Sequence, residues 1–388
     1  ADVTIIDRLS PGEGTSHGNA GVLAACSVVP VTAPGLIGKA PKMLLDPKFP
    51  LFLRWGYFPK LTPWLLKYLS HANDKDTRRI ATGLTTITSD CVAQHQALVA
   101  GTKAADWVQE SDYSFAYANR AAFEGDGYTW ALRREVGFEP ILREGSELRE
   151  FEPALAPSVG CLATVKDHGY VRDPGGYVKT LAAAFEELGG KIHQAEIQDF
   201  DTAEDAVTAA LTSLGRIPCD RMILATGVWS KSLMRKLGLT IPLESERGYH
   251  IVFRDAEGGP NHPVMVSSGK FVATPMAAGL RCAGMVEFGG LNAGPSASPL
   301  EFLRKSVKAT FPNLTHGEEI EWLGHRPAPS DSLPLIGEVR KSGVYTAFGH
   351  HHIGLTGGPK TGRIVASLVA NQPVNNDLSA YDPMRFAQ

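Results

Sequence analysis

Near the C-terminal end of the 388-residue chain stand Gly324-His325-Arg326-Pro327-Ala328-Pro329-Ser330-Asp331, then Leu333-Pro334-Leu335-Ile336-Gly337, and, after an apolar run from Val344 to Phe348, Gly349 through Gly362. They read as an Arg-Pro turn, a short loop, a buried strand and a glycine-rich turn into a helix. Pro327 holds Arg326 extended. A guanidinium grips a carboxylate through two parallel hydrogen bonds and never loses its charge. A fixed cation just ahead of a bare backbone cradle fits a substrate carboxylate clamped against a bound ring system. A structural pair between Arg326 and Asp331 is the competing reading, and spacing alone leaves both standing.

Gly349-His350-His351-His352-Ile353-Gly354-Leu355-Thr356 continues from that strand. Three consecutive histidines point in different directions and lack the spacing of metal ligands. Gly357 to Gly362 mimics a phosphate loop, but Arg363 stands where lysine is required. The turn is therefore expected to open a helix whose N-terminus, near Gly354 to Thr356, offers N–H groups and a positive dipole end to a cofactor. At the other end, Val3-Thr4-Ile5-Ile6-Asp7 is a β-branched strand closing on an acid. In a dinucleotide-binding unit such an acid accepts a ribose hydroxyl; a solvated strand end is the alternative. The Gly-x-Gly-x-x-Gly turn that would precede it is not found ahead of Ala1. Gly12-Glu13-Gly14-Thr15-Ser16-His17-Gly18 does not replace it, because its third glycine is one position late and no amphipathic helix follows.

Composition narrows the class. A hydrophobic share of 43% and a charged share of 20% are ordinary for a globular chain long enough for two domains. A net charge of −3 gives no footprint for nucleic acid. Five scattered cysteines without a CxxC pair indicate neither zinc nor a disulfide framework, and a reducing compartment is expected. No apolar run reaches the roughly 18–20 residues of a membrane span, and the start is no signal peptide. Residues 43–69 are dense in Leu, Phe, Trp and Pro, which predicts short pieces rather than one helix. Helices are expected from about Asp76 to Ala100, Tyr128 to Val136, Asp173-Pro174 to Leu188 and Pro299 to Phe311. Strands are expected over 191–200, 207–214 and 220–225, and a mostly antiparallel sheet from Pro242 to Glu287.

Thr15-Ser16-His17-Gly18-Asn19-Ala20-Gly21 resembles the Thr-Ser-x-x-Asn-Ala-Gly segment of bacterial D-amino-acid dehydrogenases, flavoproteins of the D-amino-acid oxidase and glycine oxidase superfamily. Asp173-Pro174-Gly175-Gly176-Tyr177, Ala225-Thr226-Gly227, Arg247-Gly248-Tyr249, Arg326-Pro327 and Gly349 to Gly362 extend the resemblance through nearly the whole chain. It implies an α/β (α+β) protein: a Rossmann-like FAD-binding domain (1–45, 150–230 and 325–388) interleaved with a substrate domain (46–149 and 231–324) built on a mostly antiparallel sheet with helices. It implies FAD against Asp7, Arg8, Thr15, Ser16, Asn19, Ala20, Gly21, Ala225, Thr226, Gly227, Gly349, His350, Gly354, Leu355 and Thr356. It places Arg326 on the substrate carboxylate, with His352, Tyr249 and Phe271 around the substrate, Phe271 as an apolar wall where glycine oxidases carry a tyrosine; core or rim packing is the alternative for Tyr249, and a ring packed beside the flavin for His352. The family's first strand and glycine turn are the one departure. The implied reaction is oxidation of a small D-amino acid, cyclic D-proline derivatives included, with electrons passed to a quinone or the respiratory chain. The implied place is the cytoplasm, with a peripheral contact at the inner membrane face through the 43–69 patch; cover for the substrate domain's sheet is the alternative role of that patch. An oxygen-using amine oxidase and a flavin-free scaffold remain the alternatives.

Overall fold

Thr4–Asp7 forms the strand that its β-branched run demands and pairs in parallel with Lys191–Gln194, Ile5 opposite Ile192. The structure, a computed structural model, describes residues 1–38 and 51–387. A second small sheet sets Met222–Leu224 parallel to Val344–Phe348, and Leu335–Glu338 adds to it antiparallel. Parallel pairs need long crossovers, and the helix Pro174–Glu187 supplies the one that leads into Lys191–Gln194. It starts as predicted: Pro174 takes the first position, where a missing N–H costs nothing, and the Asp173 carboxylate accepts the Gly175 N–H at 3.0 Å.

Most of the remaining strands gather into a large mixed sheet in which the long strand Leu243–Arg254 lies one in from an edge, antiparallel to Gly279–Phe288 on its inner side and to the edge strand Glu319–Pro329 on the other. Alternation divides its residues. Tyr249, Ile251 and Phe253 face a core shared with Leu300, Leu303 and Val307 of the helix Ala297–Thr310. Glu246, Gly248 and His250 belong to the opposite face. Register then places Glu246 opposite Arg326, Gly248 opposite Gly324 and His250 opposite Trp322. The architecture is the expected mixed α/β one.

Some expectations hold and others need adjustment. The described part of the 43–69 stretch is in pieces, as expected: Leu51–Leu53 is a strand, Trp55–Tyr57 a short 3-10 helix and Phe58–Ser70 a 13-residue helix, in which Pro59 falls in the first turn and only Pro63 removes an internal bond. Positions 43–50 of that aromatic stretch lie outside the described residues. The helix predicted over 76–100 is two, Asp74–Thr88 and Cys91–Val99. Val108–Tyr117 and Cys161–Val171, not foreseen as strands, pair antiparallel in the large sheet. Cys161–Val171 thus carries the sheet past the boundary drawn at 150.

Candidate active site

Arg326 reaches from the Glu319–Pro329 strand across the neighbouring strand to the Met285 carbonyl, which accepts its Nη1–H at 3.3 Å. The crossing is possible because position 248 has no side chain: a Cβ there would stand 2.5 Å from the guanidinium carbon. Burial pulls the Arg326 pKa down, and nearby Glu246 opposes that. The competing pair with Asp331 does not form. Asp331 is taken by Arg385, with Nε 2.7 Å from Oδ2. Among the described residues Arg326 has no ion-pair partner, so most of its five N–H donors are uncommitted.

The turn after Phe348 comes down over that guanidinium. Gly349 (φ +84°) lies against Pro329, where a Cβ would meet the ring at 2.8 Å. His351 sets Nε2 2.5 Å from Glu246 Oε2, though the ring is not aligned for a linear hydrogen bond. His352 is the exposed member of the run; the protein packed about it, with His351 and Arg326, lowers its pKa. His350 turns away and shares a 2.9 Å hydrogen bond between Nε2 and Thr361; burial brings its pKa down to about 4.

The helix Gly354–Val369 follows, and no side chain caps its N-terminus. Thr356 donates to the Val22 carbonyl at 3.2 Å, so this helix start touches the end of the 15–21 segment. That segment is pinned to the large sheet: Arg281 donates to the His17 and Asn19 carbonyls at 2.7 and 2.8 Å, and Thr15 donates to the His325 carbonyl at 3.4 Å. Asn19 Oδ1 accepts the Gly21 N–H at 2.8 Å, and Gly21 (φ +77°) has no room for a Cβ beside the Val171 carbonyl, 2.7 Å away. The Ser16 carbonyl closes the turn onto Asn19, and Ala20 packs against the Val22–Ala24 cluster. Asp7 is exposed with one carboxylate oxygen on the Leu9 N–H at 2.9 Å, and Arg8 lies 3.6 Å over the Trp229 ring. Trp229 directly follows Ala225-Thr226-Gly227-Val228, where Gly227 takes φ +58°. Four contacts therefore join segments far apart in the chain: 7–8 with 225–229, 15–21 with 325, 22 with 356, and 246 with 351.

Tyr249 and Phe271 are not brought to this place. Tyr249 is two residues from Arg247 on the core face and donates to Glu287 Oε2 at 2.7 Å. Strand alternation, legible in Glu246-Arg247-Gly248-Tyr249, already opposes it to Gly248. Phe271 is fully buried under the helix Ala297–Thr310. Residues that sequence reading passed over are Gly248, Glu246, His351 and His95. The last has a local cause. Pro359 lacks the N–H that would bond the Leu355 carbonyl, and the His95 Nε2–H donates to that carbonyl instead, at 2.9 Å. This fixes the tautomer, leaving Nδ1 to accept the Tyr177 hydroxyl at 2.8 Å. Burial sets the His95 pKa at about 4, so the ring is neutral at pH 7. The unfolded chain takes up the proton first, near 6.5, so acidification from there toward 4 favours unfolding through this group. His95→Leu strands two buried polar groups and is expected to cost about 2–4 kcal/mol in denaturant unfolding. His95→Gln, which keeps a donor, is expected to lose less.

An uncapped helix start, glycines that admit close approach and an exposed acid at the end of a parallel strand fit an extended nucleotide cofactor. The family model of FAD dependent oxidoreductases, DAO, matches residues 1–368, and the chain belongs to that family. It is an FAD-dependent oxidoreductase. A D-amino-acid oxidase of Bradyrhizobium diazoefficiens is 37% identical over 99% of this chain and 93% of its own length. A D-amino acid dehydrogenase of Helicobacter pylori is 26% identical over 94% of this chain and 88% of its own. Among solved structures, glycine oxidase from Bacillus cereus superposes with a TM-score of 0.72 at 19% identity, covering 98% of this chain and 91% of that one. The L-proline dehydrogenase from P. horikoshii gives 0.68 at 20%, covering 78% and 83%. These structures share the fold.

Proposed function

We propose that this chain oxidises small D-amino acids, with Arg326 holding the α-carboxylate. The observation that carries the reading is the uncommitted, half-buried guanidinium of Arg326, beside an Asp331 already paired with Arg385. Bound FAD supplies the acceptor for the hydride that leaves the α-carbon; the protein contributes orientation and electrostatics. Asp7, Arg8, the 15–21 segment, Ala225 to Gly227, Gly349, His350 and the Gly354–Thr356 helix start are the residues we assign to FAD. His352, exposed and close enough to Arg326 to feel its charge, is assigned to the substrate side. Cyclic imino acids such as D-proline derivatives fall within the proposed substrate range.

Electron transfer to a quinone or the respiratory chain, from the cytoplasm and with a peripheral membrane contact, is part of the proposal. Trp55 and Leu66, 59% and 65% exposed, lie in the aromatic-rich segment that would make the contact. No helix among the described residues is long and apolar enough to cross a membrane. The test is direct. Purified protein is expected to show a flavin spectrum that a D-amino acid bleaches without oxygen; a panel of D-amino acids that leaves it unbleached refutes the proposal. One observation favours a second reading: the 37% identical relative is named an oxidase. Stoichiometric hydrogen peroxide in air would establish oxygen as acceptor, and its absence with turnover on a quinone analogue would establish the other.

A further inference from the structure

Glu246 is 7% exposed yet sits directly opposite Arg326 across two hydrogen-bonded strands. Directly opposed residues of an antiparallel pair project to the same face, with Cβ atoms about 4.5–5.5 Å apart. The two charges nevertheless do not close on each other: no contact within 4.0 Å joins them, because the guanidinium leans over Gly248 toward Met285. Glu246 turns instead to His351. That histidine is held at φ +53°, a left-handed conformation unusual for a residue with a side chain, and its ring is carried to within 2.5 Å of the carboxylate. Local strain maintained at a site of this kind is a sign of a functional constraint. A cation and an anion, fixed side by side on one face and kept apart, complement a zwitterion.

We infer that Glu246 recognises the amino nitrogen of the substrate, so that the site selects amino acids over carboxylic acids that lack the nitrogen. The inference rests on the reading that Arg326 holds the carboxylate. The groups facing Glu246 are His351 and His352 from the 349–354 turn, Arg326 from its strand, and Tyr68 from the helix Phe58–Ser70. Burial alone would raise the Glu246 pKa, but the close approach of His351, with Arg326 and His352 nearby, brings it below the ordinary carboxylate value. The group is thus an anion at neutral pH, suited to hold an ammonium and poorly suited to hold a second carboxylate. The Tyr68 hydroxyl is buried there and has no hydrogen-bond partner among the described residues.

D-Alanine and propionate differ by the amino group alone, and they form the probe pair. Glu246→Gln keeps the volume and removes the charge. It is expected to raise the Michaelis constant for D-alanine about 10- to 100-fold, the range for a hydrogen bond to a charged group. The propionate dissociation constant, measured by calorimetry, is expected to stay the same or tighten, since a like charge has been removed. A proportional weakening of both ligands, or an unchanged Michaelis constant, overturns the inference. If Glu246→Gln does not fold, Glu246→Asp carries the test: it keeps the charge but withdraws it by one methylene, and the ratio of the two constants should move in the same direction by less. Arg326→Lys separates the two readings. Weaker propionate binding in that variant upholds the carboxylate anchor, and unaltered propionate binding sinks the anchor and not the assignment of Glu246.

Discussion

Arg326→Ala is expected to raise the Michaelis constant for a D-amino acid by about 100- to 4,000-fold and to leave FAD content unchanged. The size follows from breaking a desolvated charge pair, which costs about 3–5 kcal/mol when one partner is removed, at about 1.4 kcal/mol per tenfold. The selectivity for substrate over cofactor follows from placement. Arg326 touches Met285 and overlies Gly248 on the large sheet, whereas the residues assigned to FAD sit on the 7–8, 15–21, 225–227 and 349–356 segments. Gly248→Val is the companion. It leaves the arginine in the chain but fills the space of its guanidinium, whose carbon would lie 2.5 Å from the new Cβ. The same rise in Michaelis constant, at a normal flavin spectrum, is expected of it. Steady-state kinetics with flavin-to-protein absorbance ratios measures both. A change in Michaelis constant below threefold in Arg326→Ala would remove the anchor from the proposed chemistry.

How much of this was legible beforehand depended on whether a signal was local. Pro174 after Asp173 announced a helix start, and Thr4-Ile5-Ile6 a strand, because capping and β-branching act within a few residues. Arg326 was legible as a cation fixed by Pro327, and its freedom from Asp331 was not, because Arg385 lies 54 residues further on. That the 43–69 stretch falls into pieces was legible from its prolines; that its last piece, Phe58–Ser70, is a helix containing Pro63 was not. Two prolines argue against a helix locally, but Leu61, Trp64 and Tyr68 bury one face against Phe288 and Ala328, and packing overrides the lost bond. Of the two readings of Tyr249, core packing is the one the structure shows, and the information to choose was present: period-two alternation opposes it to Gly248. Glu246 carried no signal until register placed it opposite Arg326. His95 matters only because Pro359 frees a carbonyl that the fold brings within 2.9 Å.

Glu287→Ala is expected to cost about 3–5 kcal/mol of stability, among the largest effects of any single change on the core side of the sheet. Its carboxylate is 2.7 Å from Nε of Arg247, a side chain with no exposed surface, and it accepts hydrogen bonds from Tyr249 at 2.7 Å and from Ser296 at 2.5 Å. Removing it leaves a buried guanidinium without a counter-charge. The sign of the pH dependence follows from the carboxyl group. Burial raises its pKa, but Ser296, Tyr249, Arg247 and Arg54 outweigh that and hold it below its ordinary 4.5. Its contribution is then complete above 4.5 and is lost as pH falls through the folded value. The stability gap between the natural protein and Glu287→Gln should therefore narrow in acid, by denaturant unfolding at pH 7 and pH 4; a constant gap would remove the charge from the account. Replacing a buried pair wholesale by apolar residues is often neutral, but here it should not be. Arg247 also donates to the Gly290 and Ala293 carbonyls at 3.2 and 2.7 Å, and to Gly294, tying down the loop that leads into the helix Ala297–Thr310. The double variant Arg247→Met/Glu287→Leu is expected to recover only part of the loss, because those loop carbonyls would remain unpaired.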